Sequence, residues 1–370
     1  MSPLNPQRLT PTASLNRVKI VDLPGLAVDP GVRGQTGYQL VSTVALAELI
    51  RQRAESLELD PSLDDHELCL ALDRRLVSED GAVRDAAEGL GRRIGRNMGY
   101  ILLTLKRGDP VNRAARAEWD GSYWEHWSRI KQVWLGGGMV SGWLGAAIQD
   151  HASAVIREAG ICDYTLRISP YASVLPLVGV ARHAPSQCQT ALVFDFGSTL
   201  IKRGNASYSD GTLVKLRCLP SRPAGLARIE RASRDPAEQA AQLRDHMVSV
   251  IVDTWWLAGR SASGPILASV AAYMQDGHPL SAQGGAYMQL RHVTDHVQTA
   301  LARQVSVRLG EAADVSLFHD GTAAAAAYAG ARDAAIIMVG TALGIGFPPH
   351  EESRLRPISA DLAILAPGGA

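Results

Sequence analysis

The chain has 370 residues, more than one hydrophobic core usually serves, so two packed lobes are expected. Lysine plus arginine and aspartate plus glutamate total 37 each, a zero formal charge that argues against nucleic acid as the main partner. A 46% hydrophobic and 20% charged composition excludes a disordered or collagen-like chain, and four cysteines without Cys-x-x-Cys spacing exclude a disulfide framework or zinc knuckle.

Residues 1–17 lack an apolar centre and read as a flexible lead, not a signal peptide. No run of about 18 uncharged apolar residues is present to span a bilayer. A cytoplasmic protein without a membrane partner is therefore expected. Residues 18–23 (VKIVDL) read as the first strand, followed by a connection through Gly31, Gly34 and Gly37 and a helix over 40–53. Residues 61–65 (PSLDD) look like a turn and helix start. Ala87, Leu90, Ile94, Met98, Ile101 and Leu105 then recur at spacings of 3, 4, 4, 3 and 4, one stripe of a long helix.

A strand at 132–135 runs into Gly136-Gly137-Gly138, a helix begins near Ser141, and a further strand covers 164–168. Residues 183–190 (HAPSQCQT) are polar and contain proline, which marks a boundary between a lobe over 1–184 and a lobe over 191–370. The second half restarts with the apolar strand 191–196 (ALVFDF), then Gly197-Ser198-Thr199, a turn at 205–212 and a strand at 213–219. Helices are predicted over 236–257 and 287–308. A strand at 315–318, the turn His319-Asp320-Gly321-Thr322, an alanine-rich helix, a strand at 334–339 and a glycine loop over 340–346 follow. Strands alternating with helices argue for an α/β fold in both halves.

Three buried strands thus run out into glycines, at 134–142, 194–204 and 338–347. Successive backbone N–H groups in such turns can point at phosphate oxygens. None fits a P-loop, and the last is followed by Pro348-Pro349, which cannot open the helix a dinucleotide fingerprint needs. Asp195 sits between Phe194 and Phe196, where a carboxylate needs a partner, and a magnesium ion with its waters would serve. Asp320 has a similar setting after a strand. It reads either as the N-cap of the alanine-rich helix or as a proton acceptor, and the two roles are compatible.

In these motifs the chain resembles the sugar-kinase branch of the actin–hexokinase–heat-shock superfamily, nearest to the repressor/open-reading-frame/kinase (ROK) family. Asp195-Phe196-Gly197-Ser198-Thr199 matches that family's first phosphate motif, Asp-x-Gly-x-Thr, and Gly340-Thr341-Ala342-Leu343-Gly344-Ile345-Gly346 resembles its second phosphate loop. Gly136, Gly137 and Gly138 resemble the turn that contacts adenosine. His319-Asp320 sits where the family has Asn-Asp, so Asp320 inherits the catalytic base and His319 a substrate contact. Residues 175–184 (LPLVGVARHA) are similar to the family's closing helix. The motif order is not the family's, because the adenosine-type turn precedes Asp-x-Gly-x-Thr, and circular permutation is the simplest account.

The resemblance implies a two-lobed actin-like (ribonuclease H-like) α/β fold, ATP and Mg2+ as cofactors, and phosphorylation of a sugar-like hydroxyl. The partner is then a small-molecule substrate, with homo-oligomerisation left open. Gly34 and Gly37 match the family's zinc loop but its cysteines are absent, so no zinc is expected. The sugar-binding Glu-x-Gly-His and Gly-x-Pro-Gly signatures are also missing, Asp361 being at best a substitute. The competing expectation is a non-catalytic nucleotide or sugar sensor, or a scaffold, that kept the kinase fold. His292 and His296 have metal-ligand spacing but no third ligand and read as a solvated pair. Trp119, Trp124, Trp127, Trp134 and Trp143 read as packing or interface rather than base stacking.

Overall fold

The computed structural model describes residues 3–259, 264–281, 285–351 and 354–367. They form two compact units: residues 3–6, 12–173 and 333–345 in the first, and 7–11, 174–332 and 346–367 in the second. No helix among the described residues is long and apolar enough to cross a membrane.

The first unit opens without the strand expected at 18–23. Val18, Ile20 and Leu23 are buried, but only Lys19 makes a bridge, to Thr36. Helices α1 (Gly37–Val41) and α2 (Thr43–Arg51) are N-capped by the hydroxyls of Thr36 and Ser42. In α3 (Asp65–Arg75), Asp64 and Glu67 form a reciprocal capping box. The long α4 (Gly81–Arg107) buries its whole predicted stripe, about 1.5–3 kcal/mol for each large aliphatic side chain.

After α5 (Pro110–Ala114) and α6 (Gly121–Arg129) come β1 (Gln132–Gly136), α7 (Trp143–Glu158) and β2 (Thr165–Ile168). Gly95 and Gly99 let α4 lie directly on α7, since a Cβ at either would stand 2.7 Å from the Cβ of His151 or Val155. Trp119, Trp124 and Trp127 are interior: Trp119 stacks on Tyr123 at 5.1 Å and donates its indole N–H to the Thr12 carbonyl. That is the packing reading; Trp143 alone among the five is well exposed.

In the second unit α8 (Leu175–Ala181) leads into an antiparallel meander of β3 (Thr190–Phe196), β4 (Leu200–Ser209) and β5 (Thr212–Pro223). The turn expected over 205–212 is narrower. β4 continues to Ser209, and Asp210 and Gly211, both at positive φ, make a two-residue hairpin loop. Next come α9 (Leu226–Ala232), α10 (Pro236–Ala258), β6 (Ile266–Val270), the short β7 (Met274–Gln275) and β8 (His278–Pro279), α11 (Val297–Leu309), β9 (Val315–His319) and α12 (Asp320–Ala326). The helix expected over 287–308 is broken into a 3-10 segment, Ala286–His292, and α11. Between them Thr294 Oγ1 accepts from the His296 N–H, a local bond that competes with helix.

The chain finishes with β10 (Ala334–Val339), β11 (Leu343–Gly346) and β12 (Ile358–Leu365). β1 lies between β2 and β10, parallel to both, in a sheet of order β11–β10–β1–β2. The other sheet has order β12–β5–β4–β3–β6–β9, with β3, β6 and β9 parallel. Phe194 and Phe196 point into the core under α10 and α11, against Leu243, Met247, Ile251 and Leu301. The architecture is thus mixed α/β. The division expected at 184–190 falls inside the second unit, because α8 packs there, and 333–345 returns to the first, where β10 pairs with β1.

Candidate functional site

Alternation along β3 turns Asp195 away from the face used by Phe194 and Phe196. Its register neighbours are Lys202 on β4 and Ser269 on β6. The Ser269 hydroxyl donates to Asp195 Oδ1 at 2.9 Å, and Lys202 Nζ stands 4.0 Å from Oδ2. Burial pushes the Asp195 carboxyl above its ordinary range; the Lys202 charge opposes this, and a nearby Asp320 adds to it. The two aspartates predicted from sequence are therefore close enough in one unit to feel each other.

Asp320 follows the last residue of β9 and is the first residue of α12. The N-cap is His319, not Asp320: its Nδ1 accepts the Thr322 N–H at 3.2 Å. The Gly321 N–H donates to Asp320 Oδ1 at 2.7 Å, and His319 Nε2 lies 3.2 Å from the same oxygen. Burial pushes the Asp320 carboxyl up to about 6, against the backbone N–H bonds that favour its charged form. Burial also holds His319 neutral, pushing its pKa down to about 3, and the Tyr273 ring stacks on it at 4.5 Å. Nδ1 is engaged in the cap and Nε2 stands beside Asp320, at the position where the family resemblance implies a substrate contact.

Gly197, Ser198 and Thr199 form the turn from β3 to β4, with Ser198 and Thr199 exposed. The turn is tied at both ends. The Gly197 N–H reaches the Asp195 carbonyl at 3.0 Å, the Tyr287 hydroxyl donates to the Gly197 carbonyl, and the Ala224 N–H donates to Thr199.

Gly136, Gly137, Gly138, Gly340, Thr341 and Gly344 belong to the first unit, at the carboxyl ends of β1 and β10. Gly137 has φ +103°, and a Cβ there would lie 2.3 Å from the Val339 carbonyl oxygen, so the fold itself requires glycine. Gly138 and Gly340 differ. Neither has positive φ, and a Cβ would meet nothing within 4 Å. The Gly340 loop is pinned by the Thr43 N–H on the Gly340 carbonyl and by Asn16, which bonds both the N–H and the carbonyl of Leu343. Gly346 belongs to the second unit, where a Cβ would stand 1.8 Å from the Gly321 carbonyl oxygen. Its reason is packing.

Sequence reasoning does not find Lys202, Ser269, Tyr273 or Tyr287. Lys202 becomes visible only once residues 200–209 are seen as a strand paired with β3, because register alone places it beside Asp195. His292 and His296 are exposed and lie outside α11, so their spacing is not helical. Among the described residues no three or more His, Cys, Asp or Glu side chains are grouped to hold a metal by themselves.

No protein-family model matches the chain, and no curated sequence matches it. A solved structure described as an exopolyphosphatase-like protein is similar over 70% of this chain and 86% of its own, at 12% identity and a TM-score of 0.29. A likeness that loose carries no argument about fold or function.

Proposed function

We propose that this protein transfers a phosphoryl group from magnesium–ATP to a hydroxyl of a sugar-like small molecule, on a circularly permuted actin-like, ribonuclease H-like framework. The observation that carries the reading is the pairing of Asp195 and Asp320 at the carboxyl ends of parallel strands β3 and β9, flanked by the tied turn at 197–199. Ligands of open α/β sheets collect at such strand ends. The central order β5–β4–β3–β6–β9, with β4 antiparallel to its neighbours, also supports a ribonuclease H-like unit.

Asp320 is the proton acceptor. A carboxyl titrating at about 6 is ionised at neutral pH yet basic enough to take a hydroxyl proton as the nucleophile attacks. Asp195 positions magnesium, mainly through water. One or two carboxylates with waters and phosphate oxygens are what magnesium needs, so this donor set fits the ion without a three-residue protein cluster. When bound, the metal screens the phosphate charge. Lys202 favours the ionised form of Asp195 and offers an ammonium to a phosphate oxygen. In the second unit, backbone amides of Gly197, Ser198 and Thr199 bind phosphate oxygens; in the first unit, taken by itself, the glycine loop after β10 is suited to phosphate and Gly136–Gly138 to adenosine. The open space at Gly138 and Gly340 supports this, since neither packing nor φ calls for glycine there.

One observation favours a second reading, a nucleotide sensor without turnover. Asp361, the residue that could at best substitute for the missing sugar ligands of the tail, is exposed on β12, at the opposite edge of the sheet from β9. Calorimetry with Mg-ATP, followed by product detection on sugars, polyols and nucleosides, separates the readings. A phosphorylated product that Asp320→Asn abolishes supports the kinase. Binding without product supports the sensor, and absence of nucleotide binding sinks both.

A further inference from the structure

The ring of His319 does more than cap a helix. The Thr322 N–H has a fixed hydrogen aimed at Nδ1, so Nδ1 must carry the lone pair. The Thr322 hydroxyl, 3.0 Å from the same nitrogen, is able to donate to it as well. A neutral imidazole accepting at Nδ1 carries its proton on Nε2, and Nε2 faces Asp320 Oδ1 at 3.2 Å. The ring cannot rotate away, being buried and stacked on Tyr273 at 4.5 Å. Oδ1 thus receives the Gly321 N–H, and the His319 Nε2–H stands beside the same oxygen at 3.2 Å.

We propose that His319 is a positioning residue for Asp320: held as the Nε2–H tautomer by Thr322, it pins Oδ1 and leaves Oδ2 as the oxygen that takes the substrate proton. A base oriented by a third group is the recurrent way in which proton-transfer sites are pre-organised. The inference rests on the kinase reading for the role of Oδ2, but the tautomer and the approach of Nε2 to Asp320 do not depend on turnover. The charged groups on the neighbouring elements are Asp195 on β3 and Lys202 on β4. Arg182, just past α8, donates to the Ala326 carbonyl at the far end of α12. None of them bonds the His319 ring among the described contacts.

The test uses full-length protein labelled with 15N-histidine, with His319→Asn as the assignment control. Ring nitrogen shifts should report the Nε2–H tautomer, without imidazolium, from pH 5 to pH 9. The Nδ1–H tautomer, or protonation within that range, overturns the proposal even if the enzyme is active. Where turnover is found, His319→Ala should lower kcat roughly 10- to 100-fold with KM for ATP changed less than twofold. His319→Asn, which can still cap and donate, should recover at least a tenth of native kcat. In the Asp320→Asn background, His319→Ala should cost less than threefold further, because it acts through Asp320. A full independent loss in the double variant refutes positioning.

Discussion

Asp320 is where burial and chemistry pull in opposite directions. Its folded pKa, about 6, lies above the ordinary 3.8, so the folded state binds its proton more tightly than the unfolded state does. Below about pH 4 both states are protonated and nothing is lost. As pH rises from about 4 to 6 the unfolded carboxyl ionises first, and above 6 the folded protein keeps a charge that its surroundings disfavour. Asp320→Asn removes that charge while its amide oxygen can still accept from the Gly321 N–H. The side chain is 24% exposed, which trims the effect of the shift to about 1–2 kcal/mol. Urea denaturation at pH 8 should find Asp320→Asn more stable than the native chain by that amount, with the gap closing near pH 4. A variant less stable at pH 8 would mean that the carboxylate stabilises the fold, contrary to the burial account. Asp195 and Asp320 were legible because a charge in or beside an apolar strand is anomalous in one dimension. Lys202 was not, since a lysine in a polar stretch is ordinary until strand pairing sets it opposite Asp195.

At the scale of elements, α12 explains how Asp320 is held in place. This short alanine helix is gripped from two sides. A Cβ on Gly179 of α8 would stand 1.7 Å from the Ala323 carbonyl oxygen, and one on Gly346 would stand 1.8 Å from that of Gly321. Ala323, Ala324, Ala325 and Ala326 are buried between these backbones, which is why the run is alanine. Gly179→Ala and Gly346→Ala should each destabilise the protein by about 2–3 kcal/mol or more, read as a lower urea midpoint. Gly138→Ala makes the contrast. With open space and ordinary φ it should leave the midpoint within about 0.5 kcal/mol of native while weakening Mg-ATP binding measured by calorimetry. Unchanged affinity would remove the reason given for glycine at 138. The alanine run and the glycine loops were visible as composition. Which glycines serve packing and which leave a surface open depends on approaches between distant segments, and no local pattern carries that.

At the scale of the whole molecule, the chain does not divide where its composition changes. The polar stretch at 185–188 looks like a linker, yet the buried guanidinium of Arg356 bonds the carbonyls of Pro185 and Cys188 and lies over the Tyr208 ring at 4.6 Å. Arg182 in turn donates to the Arg356 and Ala326 carbonyls. This stretch is internal scaffolding of the second unit. Arg356→Ala should cost about 3 kcal/mol or more of stability by urea titration, because it strands carbonyls that no water replaces easily.

The first unit, conversely, takes a strand from far along the chain. β10 supplies the parallel neighbour of β1 from Gln132↔Ala334 to Gly136↔Met338, with Ala335, Ile336 and Ile337 fully buried. A fragment of residues 1–173 has the long α4–α7 pair but leaves that side of β1 bare, with unpaired backbone groups and an exposed apolar face. It should keep helical far-UV dichroism and lose near-UV tryptophan signal, bind a hydrophobic dye and aggregate. Fusing residues 333–345 to its end through a flexible glycine–serine linker should restore cooperative unfolding, because the restored strand pairs the bare edge at a loop-closure cost that grows only slowly with linker length. If residues 1–173 alone unfold cooperatively with native near-UV dichroism, β10 is dispensable to the first unit and the division at 184–190 read from composition describes the folding unit after all.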